Sequence, residues 1–163
     1  MGQDDQDLVL IRDQLWEVES KAKRLSWAKD RPWKPSTHVW IEEDLTIIDL
    51  HDLSVKLALS VVRTTCRFSK KLQSSAICFV TGAGNKSVTG AKIRPAVITE
   101  LEHKCSDKDW EFFPHGLGRI VLIFDRENAP KSLSGKTPFV VKFGGLAFLI
   151  FLFVLLFRSC TTV

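Results

Sequence analysis

Ile77-Cys-Phe-Val-Thr-Gly-Ala-Gly-Asn-Lys-Ser-Val-Thr-Gly-Ala-Lys-Ile-Arg-Pro-Ala-Val-Ile-Thr-Glu-Leu101 passes through three kinds of backbone. It opens with an apolar run, residues 77–80, of the length and composition of a buried strand. The run breaks at Thr81-Gly82-Ala83-Gly84, where two glycines admit conformations closed to other residues. A polar loop, 85–90, follows, and then Ile93, Ala96, Val97 and Leu101 recur at helical spacing. Pro95 fits if it lies in the first turn of that helix, where a missing N–H costs little. Strand, glycine loop, helix N-terminus is an order that points free backbone N–H groups at anions. On its own such a loop is more often a plain strand-to-helix turn.

A second segment gives the loop company. Thr46-Ile-Ile-Asp-Leu-His51 reads as another apolar strand, ending in a carboxylate and an imidazole. Asp52-Leu53-Ser54 then leads into a helix, with Ser54 as its N-cap and Leu57, Ala58, Val61, Val62 and Thr65 on one face. Ile-Asp-Leu-His, followed about thirty residues later by Val-Thr-Gly-Ala-Gly-Asn-Lys-Ser and then Gly-Ala-Lys-Ile-Arg-Pro-Ala-Val, resembles the Smr (small MutS-related) domain over residues 44–125. That family usually has glycine after the motif histidine and often a basic residue inside the glycine turn. Asp52 and Ala83 stand at those positions here.

Within 44–125 the pattern predicts strand 45–50, helix 54–72, strand 76–81, helix 91–104, and a hairpin of strands 109–113 and 119–125. A β-α-β-α-β-β order makes the first two strands parallel, because a helix crosses over between them. Residues 119–124 are nearly all apolar, as a central strand should be. The resemblance implies the same class: an α/β two-layer sandwich with helices packed on a mixed four-stranded sheet.

Upstream, residues 1–30 read as an amphipathic helix, with Leu8, Ile11, Leu15, Val18, Ala22 and Leu25 alternating steps of three and four. This seam packs on the domain or forms a short arm; self-association or a helical protein partner through residues 5–29 is the alternative. Asp4, Asp5 and Asp7 argue against a mitochondrial presequence. Residues 31–43 read as a connector broken by Pro32 and Pro35, in which Trp33 and Trp40 pin the chain to the fold or stack on bases.

Downstream, residues 126–138 read as a polar linker. Residues 139–157 hold one charge, Lys142, in 19 positions and would span roughly 28 Å as a helix, about one hydrocarbon core. With only residues 158–163 after it, this stretch is expected to be a single-pass C-terminal anchor, leaving the domain in the cytosol. The endoplasmic reticulum is the favoured membrane, another organelle's surface the alternative.

Lys136, Lys142 and Arg158 are the only charges beyond residue 135, so residues 1–135 carry 20 basic and 19 acidic side chains. A near-neutral domain does not coat nucleic acid indiscriminately, so contacts must come from local clustering. Cys66, Cys78, Cys105 and Cys160 lack metal-ligand spacing, and the histidines are scattered. No metal site and no cofactor are expected; reduced thiols are.

Asp49 and His51, two apart at a strand end, project to one side. If the strands are parallel, they share a rim with Thr81, Gly82, Ala83 and Gly84. Phosphate held there by loop amides would meet Asn85, Lys86, Lys92 and Arg94. The set suits metal-independent phosphodiester cleavage, with His51 as general base or acid and Asp49 orienting it or sharing proton transfer. The resemblance implies an endonuclease acting on RNA or DNA, with Asp49, His51 and the 81–84 turn at the matching positions. RNA is favoured, since its 2′-hydroxyl supplies a nucleophile, and ribosomes are a candidate partner. The competing readings are a non-catalytic nucleic-acid or ribonucleoprotein binding module at a membrane, and a membrane adaptor with an inert domain.

Overall fold

The computed structural model describes residues 3–25, 30–82, 92–106, 108–116 and 118–133. Apolar runs bounded by breakers become five strands: β1 (Val39–Glu42), β2 (Leu45–Asp49), β3 (Ala76–Val80), β4 (Glu111–Pro114) and β5 (Arg119–Ile123). Their order across the sheet is β1-β2-β3-β5-β4. β2 and β3 are parallel, with Asp49 opposite Val80; the other pairings are antiparallel. The sheet is therefore mixed, as expected, but it has five strands rather than four. The added strand, β1, comes from the stretch read as a connector and turns into β2 through Glu43, whose φ is +59°.

The helices are α1 (Gln3–Gln14), α2 (Trp16–Ala22), the single turn α3 (Pro35–His38), α4 (Val55–Phe68) and α5 (Ile93–Ser106). α4 starts where its cap demands: the Ser54 hydroxyl accepts from the Leu57 N–H at 3.3 Å. Pro95 falls in the first turn of α5, as its missing N–H requires. Ile48, Leu50, Ile77, Phe79, Ile120 and Leu122 face one way from the sheet and are buried with Val61, Val62, Val97 and Leu101 of α4 and α5. Alternate residues face the other way, where Ile47, Cys78 and Val121 pack with Phe113 and Leu133. The stretch read as a linker thus begins on the fold: residues 131–133 form a 3₁₀ turn and Leu133 is buried.

The long helix expected over residues 1–30 is two helices, α1 and α2, meeting at Leu15 with φ −97° and ψ 3°. Its apolar seam is spent on the domain itself. Ile11, Leu15, Val18 and Ala22 are buried in the main core with α4, each larger side chain contributing about 2 kcal/mol by leaving water. Leu8 and Leu25, at the ends of the seam, are half-buried against the same core. Trp33 is fully buried and Trp40 is packed on the second cluster, so both pin the chain to the fold.

The apolar stretch 139–157 and residues 158–163 lie outside the described residues. Among the described residues no helix is long and apolar enough to cross a membrane.

Candidate functional site

The parallel pairing of β2 and β3 brings the two motifs to one rim. Leu50 N–H still bonds the Val80 carbonyl at 2.9 Å, and beyond it both chains leave the sheet. The chain after β2 turns back through His51 and Asp52, where Leu53 N–H reaches the Leu50 carbonyl at 3.4 Å. Asp52 has φ +62°, the left-handed region that glycine enters freely and aspartate tolerates.

Asp49 fixes the histidine twice. Its Oδ1 accepts the His51 backbone N–H at 2.9 Å and lies 2.5 Å from His51 Nδ1. A short side chain closing onto the backbone two residues on is a known turn device. Here it also holds the imidazole. With Nδ1–H directed to the carboxylate, Nε2 is the ring atom left to exchange a proton. The His51 side chain is 50% exposed and that of Asp49 21%, so the ring meets solvent while its partner is sheltered.

Gly82 completes the arrangement from β3. A Cβ built on it would lie 2.5 Å from His51 Nε2 and 3.1 Å from Cδ2, and its φ is +74°. Only glycine lets the main chain come this close to the ring. The histidine and the glycine turn, about thirty residues apart in sequence, are in direct contact.

The remaining candidates divide. Arg94, in the first turn of α5, extends its Nη1 to within 3.5 Å of the Arg119 carbonyl, and Arg119 is opposite Val80; Arg94 thus belongs to the same rim. Lys92 is exposed just before α5. Thr81 departs from expectation: it is buried, and its hydroxyl donates to the Gly118 carbonyl at 3.0 Å while its N–H reaches the same oxygen at 2.6 Å. It braces β3 against the β4–β5 hairpin and does not offer its hydroxyl to a phosphate. Ala83, Gly84, Asn85 and Lys86 lie outside the described residues.

Sequence reasoning missed Arg119. It grips Glu42 through two bonds, 2.7 and 3.0 Å. The Arg119 guanidinium holds the Glu42 carboxyl below the usual range, and the carboxylate raises Arg119 in turn. In the sequence the available signal was a lone arginine heading the apolar run 120–124. Among the described residues, Cys66 and Cys78 are buried thiols. Burial pushes Cys78, in β3, up to about 11 and Cys66 up to about 12. Among the described residues no three His, Cys, Asp or Glu side chains gather as a metal ion would require.

No family model and no curated protein matches the chain. Among solved structures the chain is similar to the solution structure of the B3BP Smr domain, at 19% identity over 75% of this chain and 99% of that one, with a TM-score of 0.37. A likeness of that degree carries no argument about function, which rests on the residues themselves.

Proposed function

We propose that the chain is an Smr-type domain that cleaves nucleic acid, RNA in preference to DNA, without a metal, while residues 139–157 hold it at a membrane. The single observation that supports cleavage most is the Asp49–His51 pair set against Gly82 on a solvent-facing rim. In RNA, His51 Nε2 takes the 2′-hydroxyl proton, and the 2′-oxygen bonds to phosphorus. The bond from phosphorus to the 5′-oxygen then breaks, and that oxygen takes a proton from solvent, to which the imidazolium returns its own, leaving a cyclic phosphate. Asp49 holds the ring and offsets the charge of the imidazolium as it forms. Arg94 lies close enough to the rim to counter charge on the phosphoryl oxygens.

A tether shortens the reach. Since Leu133 is packed on the sheet, only residues 134–138 precede the apolar stretch, at most roughly 17 Å of extended chain. Substrate would be met at the membrane surface, where transcripts or ribosomes at the endoplasmic reticulum are candidates.

The test uses the full chain in detergent micelles, with RNA and DNA oligonucleotides and excess chelator. Cleavage by the wild type and its loss in His51→Ala supports the proposal; cleavage by both proteins, or by neither, overturns it. One observation favours a second reading. Asp52 is exposed directly beside His51, and a carboxylate there repels phosphate. A binding module that does not cut predicts equal affinity for nucleic acid in wild type and His51→Ala, with intact oligonucleotide throughout.

A further inference from the structure

The Asp49–His51 pair has a support that comes from neither motif. β1 pairs with β2 only as far as Val39 opposite Ile48, one residue short of Asp49. The Trp33 indole acts past that point: its Nε1–H donates to the Asp49 carbonyl at 2.6 Å, across 16 residues of chain. Trp33 is fully buried, and the His38 ring lies beside it with centroids 5.6 Å apart. A buried indole N–H needs an acceptor, and a buried ring has little room to swing, so ring and carbonyl fix each other.

The Asp49 carbonyl belongs to the peptide plane that leads from Asp49 towards His51. The N–H of the same plane, that of Leu50, bonds the Val80 carbonyl at 2.9 Å, so the indole secures the opposite, carbonyl edge. A tilt of that edge is passed to the Asp49 side chain and to the start of the turn that carries the imidazole. The same aspartate bonds His51 at its backbone N–H and at Nδ1, so a small tilt is felt at two bonds. From this geometry we infer that Trp33 is a positioning residue for the reacting pair, and that the segment preceding β1 is part of the active unit. The inference rests on the proposed roles of Asp49 and His51, but its first readout does not depend on cleavage.

That readout is the His51 Nδ1 proton in NMR spectra of the full chain in detergent micelles. The wild type should show it as a downfield imidazole resonance, identified by its loss in His51→Gln. Two replacements remove the indole N–H. Trp33→Phe keeps an aromatic ring, and a benzothienylalanine introduced at the same position keeps the bicyclic shape. Both should broaden or abolish the resonance while amide dispersion elsewhere persists. RNA cleavage should lose about tenfold in kcat with KM unchanged, as expected when a reacting group is misaligned rather than removed. If Trp33→Phe does not fold, the benzothienyl protein decides. A wild type without the resonance, or a folded benzothienyl protein with it unchanged, overturns the inference. A wild type that shows the resonance and cleaves nothing overturns the nuclease reading and leaves the positioning result standing.

Discussion

At the end of the sheet where β3 begins and β5 finishes, a groove of about 630 Å³ is lined by residues including Ser69, Ser75, Trp110, Phe124 and Asn128. At the other end, where β2 and β3 finish, Asp49, His51 and Gly82 stand on an open rim. The groove has volume, but its neighbouring polar groups largely close the chain on itself. The buried Asp7 carboxylate accepts the Gln73 N–H at 2.9 and 3.1 Å and the Ser74 N–H at 2.7 Å. The Ser75 hydroxyl donates to the Asn128 carbonyl at 2.6 Å. Asp125 accepts the N–H groups of Glu127 and Asn128. At the rim a carboxylate is also bonded internally, but to an imidazole that is half exposed. The contrast teaches that volume and an exposed bonded imidazole are separate features, found at opposite ends of this sheet. What distinguishes the rim is a bonded pair that ends on an imidazole in contact with solvent.

The largest expected break in this contrast is His51→Ala: RNA cleavage falls by about 10²–10⁴-fold, while unfolding free energy changes by under about 0.5 kcal/mol. Equal losses of activity and stability would make the rim as structural as the groove. Asp7→Ala is the mirror experiment. Removing a buried carboxylate that receives two backbone N–H groups costs about 2–3 kcal/mol in urea unfolding, with kcat of the folded fraction intact. Gly82→Ala tests both properties together. The added methyl meets the imidazole and adopts a left-handed φ, so stability drops by about 1–2 kcal/mol and cleavage falls with it. The smallest effect belongs to Glu42. Its folded-state pKa is depressed by Arg119, so its contribution is present above the ordinary glutamate value and fades as pH falls through the lowered one. Both partners are solvent-accessible, so thermal scans from pH 7 to 3 should show only a shallower acid decline in Glu42→Gln than in wild type.

Much of the contrast was legible in the sequence because the signals were local. Apolar runs stopped by Gly82 and by the turn at His51, the Ser54 cap, and Pro95 in a first turn each fix an element without help from distant residues. β1 was not legible: Glu43 takes a positive φ where a turn would ordinarily carry glycine or asparagine. Four residues with no such punctuation read as a connector. The N-terminal seam shows that a stripe is buried but not against what, and the structure turns it onto the domain's own core. Thr81 looks like a ligand because it begins a glycine turn. Its partner, the Gly118 carbonyl, comes from 37 residues away and could not be read beside it. The Trp33 bond to Asp49 was equally hidden, since tryptophan in a proline-rich connector signals burial alone.

The margins of the sheet carry a consequence for crowding. Its two outermost strands, β1 and β4, are four residues each, and β4 ends on Pro114, which has no amide hydrogen to give. On the opposite border Arg12 already occupies the Val39 carbonyl at 2.7 Å. A neighbouring molecule would find little backbone template for adding its own strand. Densely gathered copies are thereby discouraged from stacking into fibres.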